Sequence, residues 1–104
     1  MRKAIIYVHN KRAGVLIEES TISFRFAYDE KYEAEPVSLT MPILNKVYSF
    51  DKFPPFFEGL LPEGVVLEGL LRITKIDRDD FFSQLIAIGN NLVGAVTVKE
   101  LNDK

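Results

Sequence analysis

The sequence predicts an α+β fold, with a small antiparallel sheet packed against two to three short helices. Three observations support this class. The first half of the chain has the two-residue apolar period of strands, and the second half has apolar residues at helical spacing. A run rich in β-branched residues follows the helical patterns near the end of the chain. Strands first, helices next and a closing strand are typical of α+β proteins. With 104 residues, 47% of them hydrophobic, we expect a single domain over residues 1–104.

The N-terminal third indicates a hairpin followed by a third strand. The β-branched run Ala4–Val8 leads into a polar turn, His9–Gly14, after which Val15–Ile17 resumes the apolar run. The segment Thr21–Tyr28 then alternates strictly, which predicts a strand with one solvated face. Its apolar face carries Ile22, Phe24, Phe26 and Tyr28.

The middle of the chain has weaker strand signals. We interpret Val37–Pro42 as a short edge strand, because Pro42 disfavours helical backbone at the residue before it. The stretch Asn45–Asp51 is ambiguous, and we interpret Val47–Phe50 within it as one more short strand.

Helical patterns begin at Pro54. A proline pair can open a helix, so Phe56–Leu61 is predicted to form one or two helical turns that Pro62 ends. Residues Val65–Thr74 are predicted to form an amphipathic helix. The apolar residues at helical spacing are Val66, Leu67, Leu70 and Leu71.

A second amphipathic helix and a closing strand follow. Three aspartates at 77, 79 and 80 lie where negative charge stabilises a helix start, and Gly89 is placed to end the helix in a left-handed conformation. Leu92–Val98 is predicted to return as a strand before a charged tail, Lys99–Lys104. The apolar residues of this helix are Phe81, Phe82, Leu85 and Ile86.

The residue content argues against catalysis. The one histidine, His9, lies in a predicted turn, and the chain has no cysteine or second histidine that could form a catalytic or metal site with it. Gly59, Gly64 and Gly69 match no phosphate-binding loop, and helix capping explains the aspartate cluster better than a calcium site does. We therefore expect no enzyme, no cofactor, no metal and no small-molecule substrate.

Charge and composition also limit the partners. A net charge of −2 supplies no broad positive field, so direct nucleic-acid binding is not expected. No stretch approaches the roughly 18 apolar residues of a membrane span. The absence of cysteine favours a cytoplasmic location, because small domains from oxidising compartments often carry disulfides.

The segment Pro54–Gly64 is unusual because an apolar stretch carries three prolines and two glycines. Rigid, irregular backbone costs little entropy to present, so it can display a surface to a protein partner. A tight connection between two helical turns explains the segment equally well, and both interpretations remain open.

The string Phe56–Gly64 resembles the FFxxLLPEG signature of the N-terminal subdomain of HipA-type kinases. Further matching pieces occur in the same order, and the resemblance covers nearly the whole chain. It implies the fold of HipA N-terminal subdomain 1. The other matching pieces are Gly14–Leu16, then Phe24, Phe26 and Tyr28, then Ser38–Pro42, Asp80–Phe82 and Ile88–Val96.

Because no kinase motif follows before Lys104, the chain is similar to the detached HipS antitoxins of tripartite HipBST toxin-antitoxin systems. The resemblance implies that it binds and inhibits a HipT-like serine/threonine kinase, in a ternary complex with a HipB-like helix-turn-helix protein. Two alternatives are a regulatory component of a HipB-containing operator complex and a detached N-terminal subdomain of a HipA-like kinase. The partner-binding residues expected on this basis are Phe57, Pro62, Glu63, Gly64, Val65 and Val66.

Overall fold

The computed structural model describes residues 1–92 and 94–101, which form one five-stranded sheet and three helices. Every neighbouring pair of strands is antiparallel, which confirms the predicted α+β class. The strands are β1 (Arg2–Val8), β2 (Lys11–Ser20), β3 (Ser23–Tyr28), β4 (Val47–Phe50) and β5 (Val96–Leu101), and the helices are α1 (Pro55–Glu58), α2 (Gly64–Thr74) and α3 (Phe81–Ile88). Their order across the sheet is β4-β3-β2-β1-β5.

The first hairpin turns more tightly than predicted. His9 and Asn10 adopt φ angles of 49° and 66°, as both central residues of a two-residue type I′ hairpin turn must, and β2 already begins at Lys11. Gly14 therefore lies inside a strand and not in the turn. A Cβ atom at Gly14 would lie 2.2 Å from the carbonyl oxygen of Ala27, so the close approach of β3 requires glycine there.

Strand β3 confirms the alternation from Phe24 onwards but not at Ile22. Phe24, Phe26 and Tyr28 are buried on one face, as predicted. Ile22 is 72% exposed, because the turn between β2 and β3 takes up Thr21 and Ile22 before the strand pairing begins.

The predicted edge strand Val37–Pro42 is wrong, since this segment is irregular. Its backbone bonds to a side chain instead of a neighbouring strand: the Tyr28 hydroxyl accepts from the Val37 N–H at 2.9 Å and donates to the Met41 carbonyl at 2.5 Å. Burial raises the pKa of Tyr28, which keeps the hydroxyl proton that the second bond needs. The predicted strand Val47–Phe50 is confirmed as β4, which pairs with β3.

The helices lie near their predicted positions with two differences. Helix α1 is shorter than the predicted Phe56–Leu61, although backbone bonds of the i to i+3 type continue the turn through Leu61. Gly89 has a φ of −53°, so the predicted left-handed ending of α3 is wrong. Glycine is required there because a Cβ would lie 2.0 Å from the Val98 carbonyl oxygen, where α3 meets β5.

The closing strand begins later than predicted, at Val96 and not at Leu92. Residues Lys99–Leu101, which were assigned to the charged tail, extend β5 alongside β1. Val93 of the predicted strand and residues 102–104 of the predicted tail lie outside the described residues.

The hydrophobic core lies between one face of the sheet and helices α1 and α3. The largest fully buried side chains include Phe26 from β3, Phe57 from α1, and Phe82 and Leu85 from α3. Gln84 is also buried, and its amide donates to the carbonyls of Asp77 and Arg78, so α3 and the loop before it are joined by satisfied polar groups.

A charged cluster at Arg2 joins the sheet to the start of α3. Its guanidinium forms a two-bond contact with Glu18 of β2, at 2.6 and 2.8 Å, and donates to Asp80 at 2.9 Å and to Ser83 at 2.6 Å. Asp80 caps α3 by accepting from the Ser83 backbone N–H. Burial acts to raise the pKa of Asp80, but the hydrogen bonds from Arg2 and Ser83 outweigh it, and the pKa is lowered.

Candidate partner-binding groove

The proline- and glycine-rich segment turns the chain sharply between α1 and α2. Pro55 occupies the first position of α1, where its missing N–H costs nothing. After Pro62 the backbone is extended at Glu63, with φ −130° and ψ 166°, and then reverses at Gly64, with φ +58°. A positive φ suits glycine, which carries no Cβ to clash with the backbone.

Phe57 anchors this segment to the core. It is fully buried, with its ring 5.9 Å from that of Phe26 on β3 and 5.2 Å from that of Phe56. Aromatic pairs at such distances add stabilisation beyond their buried area. The apolar anchor therefore fixes the start of the segment, whereas its later part faces solvent.

Helix α2 is the least buried helix of the described residues. None of its residues is buried, although its sequence, GVVLEGLLRIT, is mostly apolar. Val65, Val66 and Ile73 are 88%, 70% and 82% exposed, respectively. An isolated helix of this length is marginal in water, because helix formation depends on packing of an apolar face. Helix α2 thus carries apolar surface that the other described residues leave uncovered.

An open groove of about 690 Å³ runs between α2, the α1–α2 turn and the end of α3. Among the described residues that line it, only Asn91 has a polar side chain, and none is charged. The groove can therefore bind apolar side chains by removing their surface from water, but its side chains offer no acid, base or nucleophile. The lining residues are Gly59, Leu60, Pro62, Val65, Val66, Gly69, Leu70, Ile73, Ile88, Asn91 and Leu92.

A second cavity, of about 440 Å³, lies beside the Arg2 cluster and has a different character. It is lined by Phe24, Phe53, Phe81 and several carboxylates. On one side of the cavity, the guanidinium of Arg2 already forms ion pairs with Glu18 and Asp80. Among the described residues no group of three or more potential ligands is arranged to hold a metal ion. The charged contacts beside this cavity join the sheet to α3, and its described side chains form no recognisable catalytic arrangement.

The residues expected from the resemblance lie around the groove in three different ways. Pro62, Val65 and Val66 line it. Glu63 and Gly64 are exposed at the turn that leads into α2. Phe57 lies in the core beneath the segment, so it supports the turn and does not face solvent.

Sequence reasoning missed the α2 residues further along the groove. Gly69, Leu70 and Ile73 follow Val66 at i+3, i+4 and i+7, which is the spacing of one helix face. The pattern was visible, but an apolar helix face normally packs into the core, and nothing in the sequence reveals that this one does not. Ile88 and Leu92 join the groove only through the tertiary fold.

The described residues thus form a small α+β protein with an apolar groove and no catalytic constellation. The chain belongs to the HipA N-terminal domain family, which it matches over residues 4–99. It also resembles a solved structure described as the N-terminal domain of HipA toxin, with a TM-score of 0.78 and 27% identity, covering 100% of this chain and 96% of that one. These matches are to the N-terminal part of HipA and not to a kinase catalytic domain.

A curated relative comes from Haemophilus influenzae and is described as an uncharacterized protein. It is 31% identical over 100 residues, which are 96% of this chain and 93% of the relative. The relative is therefore itself close to a HipA N-terminal domain in length. Within the described part of this chain, no helix has the length and apolarity needed to cross a membrane.

Proposed function

We propose that this chain is a HipS-like antitoxin, which binds and inhibits a HipT-like serine/threonine kinase in a tripartite system with a HipB-like helix-turn-helix protein. The supporting observation is the match to the HipA N-terminal domain over the whole chain, by sequence and by structure. A domain that sits beside a kinase in one chain can bind a separate kinase at the same surface. On this proposal the protein acts in the cytoplasm by binding and has no catalytic activity.

The groove and the turn Pro62–Val66 are the proposed contact. The apolar side chains of α2 are exposed in the isolated chain, so covering them removes apolar surface from water without first unpacking the protein. Apolar surface left unburied on a small protein marks an interaction site. Inhibition then requires that the groove bind the inactive arrangement of the kinase more tightly than the active one.

The test is co-expression with the HipT-like kinase that the proposal expects to be encoded beside this chain, scored by growth and by recovery of a complex. The wild-type chain is expected to restore growth and to co-purify with the kinase. Val66→Asp is expected to abolish both, because a carboxylate would be desolvated in an apolar interface. Leu44→Asp is the matched control: Leu44 is 93% exposed and lies outside the groove, so this variant should behave as wild type.

Both variants should retain the circular dichroism of the wild type, since neither replaces a buried side chain. A kinase that stays toxic and does not co-purify with the wild-type chain would contradict the antitoxin role. Full neutralisation by Val66→Asp would instead show that the contact lies elsewhere on the chain.

A further inference from the structure

The cavity beside the Arg2 cluster offers accessible apolar surface. Phe81 is partly exposed and Ile22 is 72% exposed, and both line the cavity. The ring of Phe81 lies 5.7 Å from that of Phe53, which lies 5.5 Å from that of Phe24, and both pairs have the preferred edge-to-face geometry. At about 440 Å³ the cavity falls within the roughly 300–1,000 Å³ of typical ligand sites, so it has room for a side chain of another molecule.

One guanidinium group is already bound in this cavity, that of Arg2. It lies 4.9 Å from the centroid of the Phe82 ring. The same group forms ion pairs with Glu18 and Asp80. Guanidinium groups stack on aromatic rings and form two-bond contacts with carboxylates, and Arg2 shows both contacts within this chain.

Three further carboxylates line the cavity and have no partner. Asp51, Asp77 and Asp79 are exposed, and none of the described residues forms a hydrogen bond or an ion pair with their carboxylate groups. Helix capping accounts for Asp80 alone, because its side chain accepts from the start of α3. Lys52 is the one unpaired cation in the described lining, so the uncompensated charge of the cavity is negative.

We propose that this cavity is a docking site for an arginine side chain of a protein partner that presents it between apolar residues. The guanidinium stacks on the ring of Phe81 and pairs with the free carboxylates, as the Arg2 guanidinium does with Phe82 and Glu18. The exposed side chain of Ile22 packs against the apolar residues that flank the incoming arginine.

Other occupants fit less well. Anions, including the phosphates of nucleic acids, are repelled by the three free carboxylates. A lysine lacks the planar group that stacks on an aromatic ring and forms two parallel bonds with a carboxylate. A metal ion makes no use of the aromatic ring, and within the described part of the chain no group of three or more potential ligands is arranged to hold one.

This inference does not depend on the proposed kinase partner. The cavity and the groove share no described lining residue. Helix α3 begins beside the cavity, at Phe81 and Phe82, and ends beside the groove, at Ile88. Failure of binding at one surface therefore leaves the proposal for the other surface standing.

The test uses the full chain, labelled with ¹⁵N, and three short capped peptides that differ at one position. That position, between two leucines, is arginine, lysine or citrulline, which has the shape of arginine but no charge. The arginine peptide is expected to cause saturable amide shifts at Asp51, Phe53 and Phe81. The lysine peptide should bind at least about twofold more weakly, and the citrulline peptide at least about fivefold.

Three substitutions locate the site. Asp79→Asn should weaken binding of the arginine peptide by about two- to fivefold, since it removes one free carboxylate. Lys52→Gln should strengthen binding by about twofold, because it removes the opposing charge. Glu30→Gln is the matched control and should leave the affinity unchanged, because Glu30 follows the end of β3 that lies away from Phe24 and the cavity. All three side chains are exposed, so the variants should fold as wild type does.

Several results would overturn the proposal. They are equal binding of the citrulline peptide, tighter binding of the lysine peptide, no saturable shifts with the arginine peptide, shifts confined to the groove, or an unchanged affinity in Asp79→Asn. Saturable shifts of the same amides with calcium chloride alone would assign the carboxylates to a metal ion. Concentration-dependent shifts in the protein alone would assign the cavity to self-association, and either result would also overturn the proposal.

Discussion

The groove and the outer face both present apolar side chains, but they differ in charge and in how far those side chains are already buried. In the groove the exposed residues of α2 make little contact with the other described residues, and no charged side chain lines the described part of the groove. On the outer face, which is the face of the sheet that points away from the helices, Ile5 and Ile17 are nearly covered by their neighbours, and Lys99 is paired in register with Ile5. The two surfaces therefore differ in their role in folding, because Ile5 and Ile17 are buried and contribute to stability, whereas the exposed side chains of α2 contribute little.

The largest expected effect would disrupt both surfaces at once. Gly89→Ala places a methyl group against the Val98 carbonyl, where α3 meets β5, and the clashing partner is backbone, which cannot move aside as a flexible side chain can. We expect it to lower the free energy of unfolding by about 3 kcal/mol or to prevent folding. Urea denaturation measures this.

Gly69→Ala is the control for that substitution. Gly69 lies inside α2 and a Cβ there would meet nothing within 4 Å, so alanine should stabilise the helix by up to ~1 kcal/mol. A Gly89→Ala variant as stable as wild type would show that α3 and β5 are not held at this distance in solution.

A pair of truncations separates the two surfaces by their contribution to folding. Ile5→Ala removes a side chain that is 9% exposed and should cost about 2 kcal/mol of stability. Val65→Ala, at a residue that is 88% exposed, should change stability by less than ~0.5 kcal/mol. Chemical denaturation of both variants gives the comparison directly. Equal losses of unfolding free energy in the two variants would mean that α2 packs more tightly than its exposure indicates.

The Arg2 cluster should make part of the stability depend on pH. The pKa of Asp80 is lowered below its ordinary value of 3.8, so its charged form stabilises the fold. That contribution is fully present above the unfolded pKa and is lost as the pH falls through the lower, folded pKa. Asp80→Asn, which retains a capping side chain, should cost about 1 kcal/mol at pH 7.

The measurement is denaturation of wild type and Asp80→Asn at pH 7, at pH 5 and below pH 3.8. The difference in stability should be the same at the two higher values and should shrink at the lowest. A difference that does not change with pH would assign the role of Asp80 to geometry and not to charge.

The smallest expected effect is a difference in local stability between helices. Amide hydrogens of α2 should exchange with solvent faster than those of α3, because α2 has no buried residue whereas Phe82, Gln84 and Leu85 of α3 are buried. Hydrogen exchange followed by mass spectrometry resolves the two segments. Equal protection would place α2 in the same cooperative unit as the core.

Elements with strong local periodicity could be predicted from the sequence. The alternation in β3 from Phe24 and the acidic start of α3 at Asp80 depend on the residues themselves, and both are confirmed. Predictions failed where a contact with a residue far away in the sequence determines which residue the backbone can accommodate. Gly14 and Gly89 both resembled turn or cap residues, but each is required by the approach of another strand.

The groove could be predicted only in part, for a related physical reason. The turn from Pro62 to Val66 is conspicuous in the sequence because of its proline and its glycine. The rest of the lining depends on whether the apolar face of α2 meets the core, and helical periodicity is the same in either case. The apolar residues that share the outer face of the sheet were not predicted either, because the strand register decides which residues lie side by side.

The exposure of α2 also has an evolutionary consequence. Since no side chain of this helix is needed in the core, substitutions at Val65, Val66 or Ile73 carry little penalty for folding. Selection for a different partner can therefore act on this helix while the sheet, α1 and α3 stay unchanged. Among descendants of such a chain, the proposed partner-binding surface on α2 would be the part freest to diverge.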